Sequence, residues 1–135
     1  ILDAKTGEET WKFDIIRIFD FTIGYGGNIF LAGYDGSIIE MDGVRRDVIW
    51  RRKVTQGFPA SVIATGNNLI IISNYKSETL FFDSAVSYVD IFTADSGKKI
   101  WSEKIDSTIS TTPTVAYNNL FLVTDKGHLR IYKSN

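Results

Sequence analysis

The chain has 135 residues, 44% of them hydrophobic and 13% aromatic, which suits the packed core of one modest domain. A formal charge of -1 supplies no field to gather nucleic acid or an anionic membrane, so nucleic acid is not an expected partner. No apolar run approaches the ~20 residues of a membrane-spanning helix. No signal peptide is visible, and the absence of cysteine removes disulfides, thiolate metal sites and a cysteine nucleophile.

In chain order, Ile1-Leu2 reads as the end of a strand, Asp3 to Gly7 as a turn, and about 8–14 as a strand carrying Trp11. A start in mid-pattern without methionine points to a processed chain or a fragment. The turn and its tryptophan recur as Thr93 to Gly97 before Trp101, and as Asp42 to Arg46 before Trp50. Glycine at the fifth position of the turn, Gly7 and Gly97, suits a positive φ. Arg46 breaks that pattern, and Gly43 is expected to shift the turn in the middle copy.

Each tryptophan is followed at a nearly fixed distance by a polar pair: Gly27-Asn28, Asn67-Asn68 and Asn118-Asn119. The second residue of the pair lies 17, 18 and 18 positions after its tryptophan. An apolar, β-prone run comes next in each copy, Ile29–Ala32, Leu69–Ile72 and Leu120–Val123, and reads as a strand buried on both faces after a tight hairpin. Asp35-Gly36 and Asp125-Lys126-Gly127 mark the following turn, before strands at 37–41 and 128–132. No segment shows helical periodicity.

Repetition at this length indicates stacked copies of one small β-element. Each unit holds four strands, the last carrying the tryptophan. The expected division is 1–14, the last strand of a unit; 15–56, a full unit with strands over 21–54; 57–106, a full unit with strands over 59–105; and 107–135, three strands over 109–133. The missing fourth strand at the end matches the extra one at the start, the arithmetic of a ring closed by pairing its two ends. The tryptophan spacing is 39 and then 51 residues, and the excess falls at about 74–86.

The segments LDAKTGEETW and FTADSGKKIW, with a turn and an apolar strand at fixed distances beyond them, resemble the repeats of PQQ-like (quinoprotein-type) β-propellers across essentially the whole chain. The resemblance implies an all-β propeller of four-stranded antiparallel blades. It implies that Trp11, Trp50 and Trp101 dock neighbouring blades, with Gly7 and Gly97 in the docking turns. The family holds PQQ-dependent dehydrogenases, non-catalytic assembly scaffolds and ligand-sensing domains, and the repeat alone does not choose among them. Propellers have 4–8 blades, so three blades' worth of sequence implies part of a longer ring or a homodimer. Family members are often exported, which favours an extracytoplasmic location.

The residues themselves point away from catalysis. Calcium, which a quinone cofactor would need, takes six to eight oxygens, whereas Asp35, Asp42, Asp95 and Asp125 all sit where a turn needs them. No catalytic, cofactor-binding or metal-binding residue is expected. His128 is the only histidine and reads as a surface or packing residue. Arg45, Arg46, Arg51, Arg52 and Lys53 form a short basic cluster that reads as a solvated outer strand guarded against edge pairing. The excess segment carries Tyr75, Phe81 and Phe82, aromatics of the type enriched in interface cores. They are the candidate partner-binding residues, against the alternative of an extra hairpin covering a neighbouring blade. The expected function is a non-catalytic scaffold that binds a protein or peptide through one face. The alternatives are a piece of a quinoprotein oxidoreductase or a ligand-sensing domain.

Overall fold

The computed structural model describes residues 2–12, 17–78, 83–109 and 111–133, without the side chains of 77, 78, 83 and 84. Eleven strands and no helix occur among the described residues. They form three antiparallel sheets. The first is β1 (Ile18–Ile23), β2 (Ile29–Gly33), β3 (Ser37–Met41) and β4 (Val48–Lys53). The second is β5 (Phe58–Thr65), β6 (Asn68–Glu78), β7 (Asp83–Thr93) and β8 (Lys99–Ile105). The third is β9 (Thr114–Ala116), β10 (Asn119–Val123) and β11 (Leu129–Lys133). Within each sheet every strand pairs with its sequence neighbours, the up-and-down order of a propeller blade.

The hairpin turns fall one residue earlier than the polar pairs suggest. Tyr117 and Asn118 occupy the last of these turns with φ of 50° and 57°, the double left-handed geometry of a tight hairpin. Asn68 and Asn119 are already the first residues of their strands. Asn tolerates positive φ, and so the pair marked the right place with an offset register.

Sheets stack face to face, and this decides which strands are buried on both sides. Phe30, Ala32, Ile38 and Trp50 of the first sheet pack on Val62, Leu69, Ile71 and Phe92 of the second. Ile70, Ile72, Val89 and Ile105 on the second sheet's other face pack on Ile109, Leu120 and Leu122. Every residue of Leu69–Ile72 is therefore buried. In β10 only Leu120 and Leu122 are, while Val123 is 41% exposed, because no further sheet covers the outer face of the third. The expectation of continuous burial holds for the inner strands and fails at the end of the stack.

Among the described residues the sheets form an open arc, as three blades' worth of a longer ring implies. Trp11 lies against Leu31, Ile39 and Met41 on the outer face of the first sheet, at the opposite end of the stack from β11. Three blades subtend too little of a ring to meet. The strand expected at about 8–14 is an isolated bridge between Leu2 and Glu9 among the described residues, with 13–16 outside them.

The three tryptophan turns share one backbone. Gly7 N donates to Asp3 O, Arg46 N to Asp42 O, and Gly97 N to Thr93 O, at 2.8–2.9 Å. Arg46 takes φ of 67° where the others have glycine, so the turn does not shift. Gly43 is small for a different reason: a Cβ there would lie 2.0 Å from Gly27 O in the neighbouring turn. At Gly97 a Cβ would stand 2.7 Å from the Trp50 ring, at φ of +61°. Gly97→Ala combines left-handed strain with overpacking and is expected to cost about 2–4 kcal/mol in urea unfolding. Gly7→Ala, with open space around it, carries only the strain, about 1–2 kcal/mol.

Candidate functional site

Trp50 sits on β4 and crosses to the second sheet. Its indole N–H donates to Ala94 O at 2.9 Å, and its ring covers Gly97. Phe30 flanks it, with ring centroids 6.0 Å apart. Trp101 occupies the matching place between the second and third sheets, edge-on to Tyr132 at 5.5 Å. Trp11 lies under the Arg46 guanidinium, 5.5 Å from the ring centroid. The three tryptophans thus stand at three successive sheet faces. Gly97 touches Trp50, whereas Gly7 has nothing within 4 Å of a Cβ position.

The basic cluster is tied into the fold. Arg52 donates to Gly97 O at 3.0 Å and Ser96 O at 2.8 Å, clamping β4 to the turn that Trp50 covers. Arg51 and Lys53 reach Asp35, at 3.5 and 3.0 Å, and Arg45 pairs with Asp42. The Ser37 hydroxyl and the Lys53 ammonium hold the Asp35 carboxyl down to about 2. The solvated-strand reading missed these clamps, since their partners are 44 and 45 residues away for Arg52 and nothing local marks them.

The links between sheets use buried carboxylates and hydroxyls. Asp90, fully buried on β7, accepts from Thr55 N and Thr55 Oγ1 at 2.6 Å, with the Lys99 ammonium 3.3 Å away. This fixes the connection from the first sheet to the second. Asp125 accepts from Ser107 and Thr108 and fixes the next connection. His128 is exposed, and its backbone N–H donates to Thr124 Oγ1.

The excess segment is a continuation of the ladder. β6 and β7 are 11 residues each and pair in unbroken register from Asn68↔Thr93 to Glu78↔Asp83. The ladder with β5 ends at Asn74 and that with β8 at Ser87, so residues 75–78 and 83–86 run on past both neighbours by about 13 Å. Its base is anchored in the core: Ser87 Oγ donates to Asn74 Oδ1, accepts from Ile109 N, and Asn74 Nδ2 donates to Ile109 O. Tyr75 is half-buried at this base, opposite Val86. Phe81 and Phe82 lie outside the described residues. The hairpin leaves the sheet at the end that also bears the Asp35-Gly36 turn and the links between sheets.

At the other end of the strands a cleft of about 500 Å³ opens between the first two sheets. Phe30 and Glu40 line it from within, and Tyr25 and Asp95 line it from the surface. Glu40 is 3% exposed, and burial raises its carboxyl above the ordinary 4.5. Asn28 and Trp50 oppose that rise, and the charge of Asp95 adds to it. The carboxylates of Asp3, Asp42 and Asp95 are engaged within their own turns, and no group of three His, Asp or Glu placed for a metal occurs among the described residues.

Two outcomes follow from the buried acids. Asp90→Ala leaves the Thr55 amide without its acceptor and is expected to cost about 1–3 kcal/mol by chemical denaturation. For Glu40, a folded pKa above the unfolded value means that its stabilising contribution is full below about 4.5 and is lost as pH rises toward the folded value. Glu40→Gln should therefore flatten the fall of stability above pH about 4.5, read as Tm against pH.

Residues 75–135 match the family model described as outer membrane protein assembly factor BamB. The outer membrane protein assembly factor BamB of Nitrosomonas eutropha is 25% identical over 87 residues, covering 64% of this chain and 18% of that protein. The chain thus spans less than a fifth of the length of that relative. Among solved structures, the computationally designed Ika4 protein superposes with a TM-score of 0.50 at 10% identity, covering 96% of this chain and 99% of that one. BamB from Moraxella catarrhalis gives a TM-score of 0.41 at 14% identity over 98% of this chain and 63% of that one. The family match over residues 75–135 agrees with the blades and with the tryptophans at their faces: the chain folds as an open section of a β-propeller, with PQQ-like repeat sequence matched over that stretch.

Proposed function

We propose that this chain is a section of a non-catalytic propeller scaffold that binds a protein or peptide partner through the face bearing the long β6–β7 hairpin. The observation that carries the reading is the hairpin itself, which extends past both neighbouring strands from a base hydrogen-bonded to the next link. Rigid scaffolds commonly present binding residues on such projections. Tyr75 at the base, with Phe81 and Phe82 further along the segment, are the proposed contact residues. The relatives named as outer membrane protein assembly factors support a protein as partner, and on the same ground an extracytoplasmic setting.

A photo-crosslinking residue at position 75, compared with one at position 25 on the opposite face, tests this in cells of the source organism. The reading expects a discrete crosslinked protein from position 75, lost in the Phe81→Ala, Phe82→Ala double variant at unchanged Tm. Crosslinks from position 25 alone, or loss of folding in the double variant, would contradict it. Saturable binding of PQQ in the presence of calcium, followed by tryptophan fluorescence, would favour the oxidoreductase instead.

A further inference from the structure

The cleft between the first two sheets holds an acid that its own fold leaves half-satisfied. Glu40 Oε1 accepts from Asn28 Nδ2 at 2.6 Å. Glu40 Oε2 is buried and has no hydrogen-bond partner. The Trp50 indole N–H, which stabilises the carboxylate from nearby, spends its hydrogen bond on Ala94 O. The Ser61 and Ser73 hydroxyls are also buried without a partner, but they are neutral and do not line this cleft. Buried polar groups are normally paired, and an unpaired acceptor costs free energy.

The surroundings of that oxygen have one chemical character. The lining includes the carboxyls of Glu40 and Asp95, the rings of Tyr25 and Phe30, and the side-chain amides of Asn28 and Asn67, with no lysine or arginine. Asp95 is held ionised by hydrogen bonds from Thr93 first, then Ser96 and Asn67. Two acids without a cation, beside aromatic faces, suit a positively charged group that can donate hydrogen bonds. A volume of about 500 Å³ admits a lysine or arginine side chain.

We propose that this cleft binds an ammonium or guanidinium group, which enters past Tyr25 and Asp95 and donates to Glu40 Oε2. The cleft lies at the opposite end of the strands from the β6–β7 hairpin, so the proposal does not rest on the scaffold reading. Binding would complete the pairing of Glu40 and draw its carboxyl into the ionised form.

The test uses the isotope-labelled chain in solution, titrated with acetyl-arginine amide and acetyl-lysine amide, with acetyl-glutamine amide as the neutral control. The expected result is saturable NMR shifts of the Asn28 and Asn67 side-chain amides with the cationic probes only. The Glu40 carboxyl carbon should titrate at lower pH when the probe is bound. Glu40→Gln should weaken binding about tenfold or more. Asp95→Asn, at an exposed position, should weaken it by a smaller factor and serves if the first variant does not fold. Equal shifts with the neutral control, undiminished binding by both variants, or an unmoved Glu40 titration would overturn the proposal and leave a cleft holding only water. Placing the arginine within a glycine pentapeptide separates the sources: tighter binding than the single amide indicates a protein side chain, equal binding a small amine. Either supports the cation site.

Discussion

The packing of Trp50 on the Gly97 turn is the contact on which the stack depends. A four-stranded sheet with two apolar faces is not stable alone, and the second sheet buries both against its neighbours. The flat indole fills the gap that two twisted sheets leave near their outer strands. Its N–H anchors to Ala94 O, so the same residue contributes apolar burial and an oriented hydrogen bond. Arg52, two positions along β4, bonds the carbonyls of the same turn and locks the arrangement from outside. The repeat unit is therefore defined by what one blade needs from the next.

That dependence explains Arg46. The turn geometry is imposed by hydrogen bonds and by the ring that must lie on it, so a non-glycine residue is held at φ of 67° despite the strain. Its guanidinium then covers Trp11 and regains part of the cost through the cation–π contact. The backbone is the invariant, and the side chain at this position adapts to it.

The two ends of the strands carry different chemistry. One end bears the links between sheets, tied by Asp90 and Asp125 and by the Ser87–Asn74–Ile109 bonds, and from it the long hairpin projects. The polar groups at those links are engaged with one another. The other end bears the tryptophan turns and the acidic cleft, where Glu40 keeps an unengaged oxygen.

Much of the architecture was legible in residue order. Trp11, Trp50 and Trp101 at fixed distances from apolar runs announced the blades, because a hairpin and its burial pattern are set within a few dozen residues. The excess at 74–86 was legible as a departure from period, though not as a ladder running past its neighbours, since register depends on strand partners. That three blades fall short of a ring was legible from their count, because closure depends on the angle each blade subtends. The clamps of Arg52 and the half-paired state of Glu40 were not legible at all. Glu40 is an ordinary alternating residue of a strand until the second sheet closes over it, and only that tertiary contact removes it from water and sets it beside Asp95. Local order determined the blades; the stacking of one blade on another decided which polar groups were spent on the fold and which were left unpaired.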